Sequence, residues 1–257
     1  MGKIKVKRKS TLIDMTAMSD VTVLLLTFFM LTSTFLQKEP TQVITPPSVS
    51  TTKVEISNVA KVLVGTNEAK DKVRVFLNIT GEADPNIPED NPGAYSSENM
   101  RANALRMAAA EYESLTGHNP GITDKDVQVF SKIGTFGVPM MKMHEFLSMS
   151  QTEQDKFVGD MENDMAGIPL ANYIPDKNGT YKGKDEKISE FQIWMRVLQN
   201  SGNPALTEAM RLDGSGIAVK ADRSTPFNKV NEVLESLRTI KLNKFTVETA
   251  LIDENAK

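Results

Sequence analysis

The hydrophobic pattern has three successive rhythms from Met15 onward. From Met15 to Gln37 it is nearly unbroken: MTAMSDVTVLLLTFFMLTSTFLQ contains one ionisable residue, Asp20, between the flanking Asp14 and Lys38. A run of about 20 apolar residues is long enough to cross a bilayer as a helix, so residues 15–37 are predicted to be a transmembrane helix. At about 100° per residue, Thr16, Asp20, Thr27 and Thr34 fall within roughly 40° of one another and form one polar stripe. Thr22, Thr32 and Ser33 lie off that line. A polar stripe in a membrane helix faces protein or water rather than lipid. Threonine alone is weak evidence, because its hydroxyl can bond a carbonyl one turn back. Asp20 on the same line is what marks the face as functional, since a charged carboxylate in apolar surroundings is costly.

The rhythm then disappears. Residues 38–55 lack amphipathic periodicity and contain Pro40, Pro46 and Pro47, which predicts an extended linker. It is read either as a tether or as a site of strand pairing, and composition favours the tether.

From Ile56 the pattern becomes that of a folded α+β domain, residues 56–257. Val59–Val64 and Val73–Ile79 have the β-branched content of strands. Glu98–Leu115 is predicted as a helix with Leu105, Met107, Ala108, Tyr112 and Leu115 inward and Gly117 as its cap. Val127–Ile133 is read as a strand. Met140–Met149 and Thr152–Met161 are read as short helices, and Ile188–Gln199 as an amphipathic helix carrying Phe191, Trp194, Met195 and Leu198. Near the C-terminus, Ile217–Ala221 alternates as a strand. Ser224 or Thr225 is placed to cap a helix with Pro226 at its first position. Phe227, Val230, Val233, Leu234 and Leu237 mark that helix's inner face, and Phe245–Leu251 alternates as a second strand. Strand, helix and strand in this order predict a parallel pair with a crossover. No internal repeat is visible.

Composition adds boundaries. Hydrophobic residues make up 40% and charged residues 25%, values of a globular protein. The net charge of −3 gives no reason to expect nucleic acid as a partner. Its distribution matters more: Lys3, Lys5, Lys7, Arg8 and Lys9 lie in the basic tail 1–14, before any acid. Such a tail keeps its side of a first span in the cytoplasm. A signal peptide also begins this way, but the long apolar core, Asp20 and the lack of a small-residue cleavage site favour an uncleaved anchor. The domain after it then lies across the membrane.

Candidate chemistry in the soluble part is sparse. There is no cysteine, hence no disulfide or thiolate site. His118 and His144 stand in separate segments without ligand spacing, so no metal or cofactor is expected. Gly214-Ser215-Gly216 precedes a strand rather than a helix and fails as a phosphate loop. The acids from Asp160 to Asp164 read as a solvated helix face, and Met140, Met141 and Met143 as core. No catalytic residue is expected, and the chain is not read as an enzyme.

Two stretches carry a family resemblance. Ser19-Asp20-Val21 followed by TVLLLTFFML, behind a short basic tail, resembles the membrane helix of ExbD/TolR biopolymer transport proteins. IAVKADRSTPFNKVNEVLESLRTIKLNKFTVETAL resembles the same family's periplasmic strand–helix–strand, with Ala221, Asp222, Phe227, Val230, Val233 and Leu237 fitting its pattern. The resemblance covers roughly residues 11–80 and 187–252. Residues 82–186 form a large, mostly helical insertion, with FGVP at Phe136–Pro139 and FLSMSQTEQDKF at Phe146–Phe157, similar to longer ExbD-like proteins of Bacteroidota. The resemblance implies a single-pass inner-membrane subunit with a periplasmic domain, two copies of which sit inside a ring of an ExbB-like partner. Asp20 would carry the proton. A TonB-like transducer would receive the work, with Ile44, Thr45, Pro46 and Pro47 occupying the place of the family's docking element. A TolR-like role in outer-membrane maintenance, a stator subunit and a simple membrane-anchored scaffold are the alternative readings.

Overall fold

The computed structural model describes residues 15–32, 47–48, 57–67, 69, 72–82, 95–160, 162–170, 188–201, 203–212, 214–248 and 250–251. The basic tail, Thr34, most of the linker and residues 171–187 lie outside the described residues. The chain divides into two compact units, residues 1–38 and 39–257.

In the first unit one helix, α1 (Met15–Thr32), is described. Leu and Met, which are not branched at Cβ, suit a helix, and its threonines are accommodated by bonding backwards. Thr22 Oγ1 donates to the carbonyls of Met18 and Ser19 at 2.8 and 2.9 Å. The predicted span continues to Gln37, but residues 33–37 are outside the described set. Among the described residues, no helix is long and apolar enough to cross a membrane.

The second unit is an α+β fold around one open sheet. β2 (Val59–Thr66) and β3 (Val73–Thr80) are antiparallel, with Val59 opposite Thr80 and Thr66 opposite Val73. β5 (Ile217–Ala221) lies parallel on the other side of β2, and β6 (Thr246–Val247) is parallel to β5. β4 (Thr135–Phe136) closes the opposite edge against β3, giving the order β4-β3-β2-β5-β6. Val59, Ala60, Val62, Leu63 and Val64 in β2 are all buried. A strand buried on both faces reads as a near-continuous apolar run rather than an alternation, which is why VAKVLV sits at the centre.

The helices complete a single core. α2 (Ser97–Thr116) ends at Gly117, whose φ of 72° is the left-handed cap that glycine adopts without Cβ strain. α3 (Asp124–Lys132), α4 (Met140–Ser148), α5 (Gln151–Gly159) and α6 (Glu190–Gln199) follow, then α7 (Pro204–Arg211) and α8 (Phe227–Thr239). Phe130, Phe136 and Trp194 form an aromatic cluster with centroids 4.7 to 5.9 Å apart. These rings come from α3, β4 and α6, so the 82–186 segment contributes both a strand and core side chains to the same body.

The parallel β5–α8–β6 unit appears as expected. Several local expectations are corrected. Val127–Lys132 is helical, with Ile133 as its extended cap, because Thr123 and Asp126 form a reciprocal capping box that starts α3, and Val127 and Phe130 then share its buried face. α8 begins at Phe227 with Pro226 as the cap residue; Ser224 instead bonds the Asp222 carboxylate. Phe227 is 77% exposed rather than inward. Met107 and Leu115 are also exposed, while Met100, Ala104 and Thr116 face the core with Leu105, Ala108 and Tyr112. The acids after α5 are turn residues: Asp164 pairs with Lys72 and with Arg74, the latter at 3.3 Å. Met140 and Met143 are buried as expected, and Met141 is exposed. The 245–251 run is broken into β6 and β7 (Ala250–Leu251), which pair in different sheets.

Candidate functional site

Asp20 is the sixth residue of α1. Thr27, seven residues on, returns to the same side of the helix within about 20° and roughly 10 Å along its axis. The Thr27 hydroxyl is already engaged, donating to the carbonyls of Val23 and Leu24 at 3.0 and 2.9 Å. Asp20 is exposed and makes no side-chain hydrogen bond to a described residue. The stripe therefore contains two different kinds of polar group: a hydroxyl satisfied by its own helix, and a carboxylate that is not. The side chain of Thr16 and all of Thr34 lie outside the described residues.

The surroundings of Asp20 are apolar and uncovered. Val21, Val23, Leu24, Leu25, Leu26, Phe28, Phe29, Met30 and Leu31 are between 49% and 87% exposed. Burying a single side chain of this size is worth about 1.5–3 kcal/mol, so this surface strongly favours an apolar covering.

Of the linker residues, Pro47 is described and Ile44, Thr45 and Pro46 are not. Pro47–Ser48 forms β1, a short strand parallel to β7 with Pro47 opposite Ala250. These two residues of the linker thus pair with a strand of the chain's own C-terminal region. Proline is compatible with an edge position because it has no N–H to give to the ladder.

In the second unit, the notable ionisable groups hold elements together. Arg101 is buried and donates to the carbonyls of Ile79 and Ser131 at 2.9 and 3.1 Å, tying α2 to β3 and α3. Its burial lowers the guanidinium pKa, with Glu98 opposing. His144 Nδ1 lies 2.8 Å from the Asp126 carboxylate. Burial pushes Asp126 upward, but donation from the Thr123 N–H and hydroxyl and from His144 outweighs it and leaves its pKa lowered. Glu190, the first residue of α6, is 7% exposed and accepts the backbone N–H of Met140 at 2.7 Å. Burial pushes its pKa up to about 7, against the opposing effect of that N–H.

Sequence reading singled out neither Glu190 nor the Asp126–His144 contact. The Ser189-x-x-Gln192 capping box was a visible signal for the start of α6, but nothing local marked the neighbouring glutamate as buried. His144 is a structural partner of Asp126, in keeping with its expected role. Among the described residues, no group of three or more histidines or acids is arranged to hold a metal ion.

The described helix thus has an uncovered apolar surface and a single carboxylate, and the α+β unit has buried ionisable groups that hold its elements together. Residues 6–119 match the family model described as Biopolymer transport protein ExbD/TolR, so this region of the chain is similar to that family. The match includes α1, the linker, β2, β3 and α2; it extends past residue 82 and stops before the C-terminal strand–helix–strand unit. No curated protein and no solved structure matches the chain.

Proposed function

We propose that this chain is an ExbD-like subunit of an inner-membrane, proton-driven motor. Residues 15–37 form its single membrane span, residues 1–14 are cytoplasmic and the domain from residue 56 is periplasmic. The basic tail supports that orientation. The observation that carries the reading is Asp20: an exposed carboxylate without a described partner, on a helix whose large apolar side chains are uncovered, inside the family match.

The mechanism follows from the cost of charge in an apolar setting. Neutral Asp20 can turn toward an apolar part of an ExbB-like ring. Ionised Asp20 needs a polar partner there, such as hydroxyls. Alternate protonation and release biases the helix between the two positions. One elementary charge moved through 100 mV supplies about 2.3 kcal/mol. Two copies of the chain within one ring pass that work through their periplasmic domains to a TonB-like transducer. Thr16, Thr27 and Thr34 complete the polar face, and residues 44–47 lie where a transducer would dock.

Replacing Asp20 with asparagine tests this. The expected result is normal assembly with a crosslinked membrane partner and loss of energised uptake. Full uptake by the Asp20→Asn variant overturns the reading. The identity of the copurified transducer separates the ExbD-type role from the TolR-type role.

A further inference from the structure

Glu190 has no part in the proposed proton path, yet it occupies a junction. It begins α6, and its carboxylate reaches the first backbone N–H of α4, 50 residues earlier in the chain. The cap residue of α4, Pro139, supplies no side-chain hydrogen bond, so Glu190 serves from a distant element as the cap of that helix. Glu190 is buried and forms no ion pair among the described residues.

The charged groups on the surrounding elements are engaged elsewhere. On α4, Lys142 pairs with Glu145 at 2.8 Å, and His144 with Asp126. On α6, Arg196 pairs with Glu111 of α2 at 3.3 Å. The segment before α6 meets it through backbone, the Phe191 N–H donating to the Pro169 carbonyl. On that segment's approach, Asp164 is committed to Lys72 and Arg74.

We infer that Glu190 is a proton-operated clasp between α4 and α6, closed when the carboxyl is neutral and opening locally when it ionises. A neutral acid keeps the Met140 contact through its carbonyl oxygen and costs little to bury. A carboxylate in the same place is stabilised by one N–H and the start of a short helix, but it loses its hydration. Separating α4 from α6 restores water to it. The open form therefore binds protons less tightly than the closed form, and raising the pH favours opening. The domain would then present a mobile α4 end at alkaline pH and a fixed one at acid pH, independently of how Asp20 works.

Hydrogen exchange on the full chain in detergent micelles tests the clasp. The readout is the protection factor, corrected for intrinsic exchange, of peptides covering Met140–Phe146 from pH 5 to 8. Protection is expected to fall by up to tenfold per pH unit below about pH 7 and to level off above it. Peptides covering Val59–Val64 are expected to stay constant. Glu190→Gln, the isostere of the neutral acid, is expected to abolish the fall, whereas His144→Gln is expected to retain it. A fall that persists in Glu190→Gln overturns the proposal, as does one that disappears in His144→Gln. A wild-type profile without a fall, or with an equal fall in β2, also overturns it, and these wild-type results decide the matter even if Glu190→Gln does not fold. Uptake activity plays no part in the readout, so failure here leaves the motor reading standing.

Discussion

The two units contain the same ingredients in opposite arrangements. In α1 the large apolar side chains are exposed and the carboxylate among them, Asp20, is exposed as well. In the second unit the large apolar side chains are buried and the carboxylate among them, Glu190, is buried. The second arrangement is enclosed by its own side chains: Trp194, Phe130 and Phe136 cover one another, and the Met140 N–H donates to the buried Glu190. The first is incomplete: its apolar surface and its carboxylate both require something outside the described residues. Under the proposed function, the work of the motor is done in the helix and transmitted by the folded domain.

The strongest challenge to this contrast is replacement of residues 15–37 by polyleucine. Uptake is expected to vanish while the second unit keeps its unfolding transition; retained uptake makes the segment a mere anchor. Next in size is Trp194→Ala. Its fully buried indole joins α6 to α3 and β4, so denaturant unfolding of the second unit is expected to lose about 3–5 kcal/mol. A loss below 1 kcal/mol would remove the aromatic cluster from the core. Leu24→Ala is expected to leave that transition unchanged.

Glu190 gives a pH-dependent prediction of intermediate size. Its folded pKa, about 7, lies above its ordinary value of 4.5. The stability associated with its neutral form is fully present below about pH 4.5 and is lost as the pH rises through 7. Glu190→Gln is therefore expected to be more stable than wild type at pH 8, by up to about 3 kcal/mol, and nearly equal to it at pH 4.5. Wild-type and variant unfolding curves that run parallel over this range would show that burial does not govern the group. The smallest effect is expected at the α3 cap. Thr123→Ala removes the hydroxyl of the capping box and is expected to cost about 1 kcal/mol; a loss above 3 kcal/mol would mean that Asp126 and His144 depend on it as a unit.

Local chemistry was legible where one element decides it alone. The apolar run of α1, the Gly117 cap, the β2 and β3 strands and the order strand, helix, strand near the C-terminus all follow from spacing and residue type. Legibility failed where two elements compete. Val127–Ile133 has the composition of a strand, yet the Thr123–Asp126 cap commits Val127–Lys132 to a helix. Phe227 falls on the apolar face of α8 by period, but at the helix's first residue it projects into solvent. Phe245–Leu251 alternates as one strand and is divided between partners on two sheets.

By itself the sequence determined the position of Asp20 within an apolar helix, because helical period and hydrophobicity depend only on neighbours along the chain. Tertiary structure alone decided that Pro47 pairs beside Ala250, that Asp126 meets His144, and that Glu190 caps a helix begun 50 residues earlier. Those contacts depend on which surfaces are brought together when the core closes, and burial, unlike spacing, cannot be read from a residue and its immediate neighbours.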